Sequence, residues 1–233
     1  MPRVLPILVL ALGVASNADA APKKKKHKRD NRKPTKSTKA NMPRGFVWPP
    51  TKTMELAADA CEKQLDELGI SYKPARSVGK VVRPVTIDGD IGGITYTPAY
   101  SKHQVFDCQL VLTLATFAPR LYELGVREVK FGSAFRNTKV RVAGRTKNVL
   151  SRHALGIALD IVAFYDAEGR EARVERDYKR GDELLLEVER AVNDSGQFRL
   201  LLTPRNDPKS HHDHFHLEAN PDYSHERTEK PSS

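Results

Sequence analysis

Ser151-Arg152-His153-Ala154-Leu155-Gly156-Ile157-Ala158-Leu159-Asp160 and, about fifty residues later, His211-His212-Asp213-His214-Phe215-His216 decide how this chain is read. From Ala158 the first stretch has the composition of a strand. Side chains alternate on a strand, so Ala158, Asp160 and Val162 share one face and Leu159, Ile161 and Ala163 the other. Burying an unpaired carboxylate in such a strand is costly, so Asp160 requires a cation or strong hydrogen bonds. His153 lies an odd number of residues before Asp160 and would face the opposite way on one continuous strand. A turn must intervene. Ala154-Leu155-Gly156 supplies it, with Gly156 taking a positive φ or letting the backbone pass close to another element.

His214 and His216 are two apart and face the same way on a strand, with Phe215 and Leu217 toward the core. One imidazole can bind a metal while its neighbour stands beside the attacking water. A His, an Asp and a further His make a donor set suited to zinc that keeps a position open. Two neutral imidazoles and one carboxylate leave such a centre electrophilic. Alone, the His-x-His pair fits a surface histidine run as well; cupin-type barrels use it too, but need further ligands on other strands and a more strand-rich chain. Joined to Ser-x-His-x-x-Gly-x-Ala-x-Asp, it is far more specific.

Around these stretches the periodicities predict helices over Thr53–Leu68, Asp107–Leu124 and Asp182–Val192. Leu56, Ala57, Ala60, Leu65 and Leu68 are the expected inner face of the first. Pro119 is expected to kink the second. Strands are expected at Glu128–Phe135, Ala158–Tyr165, Phe198–Leu202 and Phe215–Leu217. Val81-Val82, Val85–Ile87 and Ile94–Tyr96 are β-prone, with hairpin turns at Asp88-Gly89 and Gly92-Gly93. Phe46 and Trp48 are expected to pack onto the domain. Asn137–Lys147 reads as a basic loop carrying Lys139, Arg141, Arg145 and Lys147. This is an α+β fold, a mainly antiparallel sheet flanked by helices.

The formal charge of +10 over 233 residues is unevenly placed. Residues 22–41 hold ten Lys/Arg and one Asp, while the chain from 42 onward is nearly neutral. A domain-wide basic surface for nucleic acid is therefore not expected. Arg3, the apolar run Val4–Ala15 and Ala18-Asp19-Ala20 have the form of a signal peptide over 1–20, too short for a comfortable span. Residues 21–41 read as a basic disordered linker, a spacer or a contact for anionic envelope polymers. The folded domain is expected over 42–220, with a disordered tail over 221–233. Export to the periplasm or cell envelope makes a Cys61–Cys108 disulfide the default. Two buried thiols are the alternative.

With Phe131-Gly132-Ser133-Ala134-Phe135-Arg136 added, the blocks resemble the LAS zinc peptidases, a group that includes D-Ala-D-Ala carboxypeptidases and murein endopeptidases. More closely they resemble the bacterial extensin-like C-terminal domain family, over about residues 53–219. The resemblance implies an LAS-like α+β fold and Zn2+ held by His153, Asp160 and His216. It implies His214 as base or proton shuttle, His211 as helper, Arg136 as oxyanion stabiliser and Ser151 as substrate-positioning residue. Many members carry Glu or Asp as base shortly before the last ligand. Here that role falls to His214 or Asp213. From the residues alone, Arg136 also fits a solvated loop-edge charge and Ser151 a capping hydroxyl. The implied activity is an exported zinc-dependent hydrolysis of an amide bond in peptidoglycan. The alternative is a non-catalytic wall-binding module with a zinc-stabilised fold.

Overall fold

The structure, a computed structural model, describes residues 41–100, 104–142 and 145–224. The expected leader, the linker up to residue 40 and the end of the tail lie outside the described residues. In chain order the elements are α1 (Lys52–Glu67), β1 (Tyr72–Pro74), β2 (Pro84–Ile87), β3 (Asp90–Ile91), β4 (Ile94–Pro98) and β5 (Phe106–Asp107). Then come α2 (Cys108–Glu123), β6 (Val126–Ser133), β7 (Lys139–Val142), β8 (Arg145–Leu150), a 3-10 turn (Arg152–Leu155), β9 (Ala158–Asp166) and β10 (Glu171–Arg173). The last are α3 (Val174–Asp177), a 3-10 turn (Tyr178–Arg180), α4 (Glu183–Ser195), β11 (Phe198–Leu202) and β12 (Phe215–Ala219).

The fold is α+β, organised on β9, whose residues Ala158–Phe164 are all buried. One edge of β9 pairs antiparallel with β6. The other takes β12 along its first half and β10 along its second. β11 lies outside β12, and β4 and β3 lie beyond β6. Apart from the isolated Arg44–Asp222 bridge, which is parallel too, only β4–β6 is parallel among the described strand pairs. A parallel pair needs a crossover, and α2 supplies it by burying Leu110, Val111, Leu114, Phe117, Ala118 and Leu121. Each buried Leu or Phe contributes about 1.5–3 kcal/mol. Pro119 does not end this helix, which runs on to Glu123. β1, β2 and β5 form a smaller sheet. Among the described residues no helix is long and apolar enough to cross a membrane.

Several expectations need correction. The buried face of α1 is Met54, Ala58, Cys61 and Leu65, while Leu56 and Leu68 are exposed. Cys61 sets that phase by its disulfide to Cys108 at the start of α2. Val81-Val82 is not a strand, because the Val82 and Arg83 amides donate to the Asp107 carboxylate instead of a ladder. The basic loop is the β7–β8 hairpin, with Arg141 paired to Thr146. Its charged residues hid the alternation Lys139-Val140-Arg141-Val142.

Phe46 packs near the Tyr223 ring, but Trp48 is half exposed. The tail expected from 221 onward docks as far as Ser224. Asp222 bridges Arg44, the Tyr223 amide donates to the Arg44 carbonyl, and the Tyr223 ring is buried. Apolar Tyr223 was outweighed by its charged neighbours.

Candidate metal centre

Strand register builds the centre. Ser133, Asp160 and His216 stand opposite one another across β6, β9 and β12. Asp160 Oδ1 lies 2.7 Å from His216 Nδ1 and 3.0 Å from His153 Nε2. The two imidazole nitrogens are 3.2 Å apart. On its other oxygen, Asp160 accepts from Ser133 Oγ at 3.0 Å and pairs with the Arg136 guanidinium at 3.0 Å. His153, Asp160 and His216 are all buried.

His153 comes from the 3-10 turn, not from a strand. The Ser151 hydroxyl caps that turn by accepting from the His153 amide at 3.3 Å. Gly156 closes it at φ +67°, in the left-handed region. A Cβ there would sit 2.8 Å from the Asp107 amide nitrogen. Both reasons anticipated for a glycine therefore apply at once. The Ala134 carbonyl lies 2.8 Å from His153 Nδ1, so Nδ1 carries the proton and donates. That leaves Nε2 as a lone pair turned toward Asp160 and His216.

Three acceptors thus converge. Burial pushes His153 down from its ordinary value, leaving it neutral. Burial opposes the charge on Asp160, yet the neighbouring histidines hold it well below the usual carboxylate range. Burial also opposes charge on His216, but hydrogen bonds to Asp160 and Glu218 outweigh it and hold its pKa up to about 9. In the metal-free protein a proton on His216 does what a cation would do. The cluster's edges of 2.7, 3.0 and 3.2 Å are slightly tighter than the ~3.4 Å edge of a tetrahedron of ~2.1 Å metal bonds. The donors fit a small divalent cation.

This arrangement sets a pH dependence. His216 titrates above its unfolded value of 6.5. Its ion pairs therefore stabilise the metal-free fold fully below pH 6.5, and that stabilisation is lost as pH rises through about 9. Metal must displace the same proton, so affinity should rise across that window. Zinc titration calorimetry at pH 7.5 in two buffers of different ionisation enthalpy should report about one proton released per zinc. Equal heats in both buffers would refute this protonation state.

The remaining candidates surround the cluster. His214 precedes β12. Its Nδ1 is 2.7 Å from Asp213 Oδ1, while its Nε2 lies 3.5 Å from Asp160 Oδ1 and has no hydrogen-bond partner among the described residues. Asp213 orients His214, and the unpaired nitrogen faces the cluster. The His211 ring packs 4.9 Å from that of His214 and 5.2 Å from that of His216, with Asp207 at its Nδ1. Burial, then the charges of His216 and His214, push His211 down to about 4, so it is neutral at pH 7. Arg136 follows β6 by three residues and is about half exposed. Ser151 acts through the turn it caps. His212 is exposed.

Glu218 was not anticipated. It is buried on β12, with Oε1 3.2 Å from His216 Nε2 and ion pairs to Arg199 and to fully buried Arg152. The parity that places His214 and His216 on one face also places Glu218 there. That signal was available in the sequence.

A sequence profile of the family described as extensin-like protein C-terminus matches residues 59–227. No curated protein and no solved structure matches the chain.

Proposed function

The chain belongs to the extensin-like protein C-terminal family, and from that membership and its buried His153–Asp160–His216 cluster we propose a zinc-dependent peptidase acting on peptidoglycan. The substrate bond in this reading is an amide of the stem peptides or cross-links. One observation carries it: three buried acceptors converge on a point where the protein supplies a single proton. Two imidazoles and a carboxylate are a donor set of catalytic zinc sites, and they favour zinc over the harder magnesium and calcium. The resemblance to the LAS zinc peptidases supports the same choice.

Zinc held there would polarise the scissile carbonyl and bring the pKa of a water toward neutrality. The protein's own groups provide the rest. His214 Nε2, unpaired and facing the cluster, takes the proton of the attacking water and passes it to the leaving amine. Asp213, at the far nitrogen, keeps the receiving one turned inward. The Arg136 guanidinium, within reach of Asp160 and half exposed to the site, holds the developing oxyanion. Neutral His211 packs on both rings and restricts their rotation. Ser151 fixes the turn bearing His153.

The Cys61–Cys108 bridge agrees with an oxidising compartment, and the signal-like residues 1–20 agree with export. The basic segment 21–41 would then hold the domain near anionic envelope polymers.

The test is digestion. The zinc-loaded chain lacking residues 1–20 is incubated with purified peptidoglycan, and the products are identified by mass spectrometry. Loss of terminal D-Ala is expected from a carboxypeptidase, and monomers released from cross-linked dimers from an endopeptidase. Chelation should abolish either product. Unchanged muropeptides despite bound zinc and sedimentation with sacculi would replace the enzyme reading with the wall-binding module.

A further inference from the structure

His216 turns Nδ1, not Nε2, toward Asp160 and His153. Which nitrogen a histidine presents to a metal is set by the hydrogen bond that the other one makes. Here the holder is Glu218, two residues along the same strand face, at 3.2 Å from Nε2. Glu218 is itself fixed from behind. Arg199 pairs with it, and so does Arg152, whose side chain is almost wholly enclosed. Arg152 also donates to the Ala219 carbonyl at 2.7 Å. It immediately precedes His153. The ion pair Arg152–Glu218 therefore joins the segment carrying one ligand to the strand carrying the other.

We propose that Glu218 is a positioning residue that selects Nδ1 of His216 as the metal-binding atom, with Arg152 locking the two ligand-bearing segments in register. The inference rests on the metal-centre reading above, but not on the substrate. In water the charges of Arg152 and Glu218 would be well solvated, and burying them is justified only by full pairing. The pairing here is complete for Glu218, with its two oxygens shared among one imidazole and two guanidinium groups. Without Glu218, the Nε2–H of His216 loses its acceptor and the ring is free to flip, which presents either nitrogen to the metal.

The full chain and its E218A and E218Q variants are titrated with zinc against a competing chelator. Each is also loaded with cadmium-113 and read by nitrogen-15 NMR for the His216 nitrogen that couples to the metal. Wild type should couple through Nδ1. E218A should bind zinc about 10–100-fold more weakly, the usual loss for such outer partners, and should lose or scramble the Nδ1 coupling. E218Q, of the same size and still able to accept from Nε2, should fall between the two. Where E218A fails to fold, E218Q decides, with weaker binding expected. Wild-type affinity and intact Nδ1 coupling in a folded variant would overturn the assignment while leaving the metal centre standing. A wild-type chain that takes up neither metal would overturn both.

Discussion

Asp160→Asn should leave the domain folded, abolish zinc uptake at micromolar metal and lower hydrolysis by ~10³-fold or more, the scale of several kcal/mol of lost electrostatic stabilisation. The amide has nearly the shape of the carboxylate but not its charge. Asp160 is the hub of the site: Ser133, Arg136, His153 and His216 all meet its two oxygens. Removing the charge leaves two neutral imidazoles as donors and an arginine without its counter-ion. The metal-free protein should change in a second, separable way. His216 holds its proton up to about 9 because of hydrogen bonds to Asp160 and Glu218, against the burial that opposes it. Without the Asp160 charge, the protonated ring would be short of a counter-charge. A buried ion with a missing partner costs roughly 3–5 kcal/mol. His216 should therefore give up the proton nearer its ordinary value. Chemical denaturation of metal-free wild type should show stability falling between pH 6.5 and about 9, and D160N should be flatter over that range. Zinc affinity at the wild-type level in D160N would exclude Asp160 as a ligand.

The second large effect is on stability. Cys61 and Cys108 are 47 residues apart. Closing a loop of that size in the unfolded chain is worth about 4 kcal/mol on the chain-entropy account. For a domain of this size that corresponds to a melting shift of roughly 8–16 °C. C61S/C108S, or reduction of the wild type, should show it by calorimetry. The loss should also reach the site. Cys108 follows Asp107, whose carboxylate accepts from the Val82, Arg83 and Gln109 amides and whose own amide donates to the Gly156 carbonyl. Gly156 closes the turn carrying His153. Zinc affinity should therefore fall with the bridge. A melting temperature unchanged by reduction would mean the bridge contributes no constraint.

What could be read in the sequence followed from parity and punctuation. β11 was expected at its observed bounds, because a short apolar run between turns leaves little freedom. The convergence of His153, Asp160 and His216 followed from one glycine, one strand alternation and the resemblance that singled out His216. Glu218 lies one residue beyond the strand expected at Phe215–Leu217, which runs on to Ala219. Its charge is neutralised by arginines distant in sequence. The face of α1 departs from the apolar pattern because Cys61, fully enclosed by its bridge together with Met54 and Leu65, belongs to it. The β7–β8 hairpin is hidden because a run of charged residues reads as a loop, while the backbone pairs. For Glu218 and Cys61 the deciding partners, Arg152 and Cys108, lie far along the chain, beyond the reach of local pattern.

The docking of Arg44 against Asp222 and Tyr223 has a mechanical consequence. The described domain begins and finishes at one spot on its surface. Tension applied between its two ends would load the Arg44–Asp222–Tyr223 contact, with Asn41 held separately by Leu150 and Arg152. An anchor on either flanking segment would hold the domain at the same pivot, like a bead hung from one knot. A circular permutant that joins the two ends through a short linker and opens at the exposed Gly169 turn would keep every strand pairing intact.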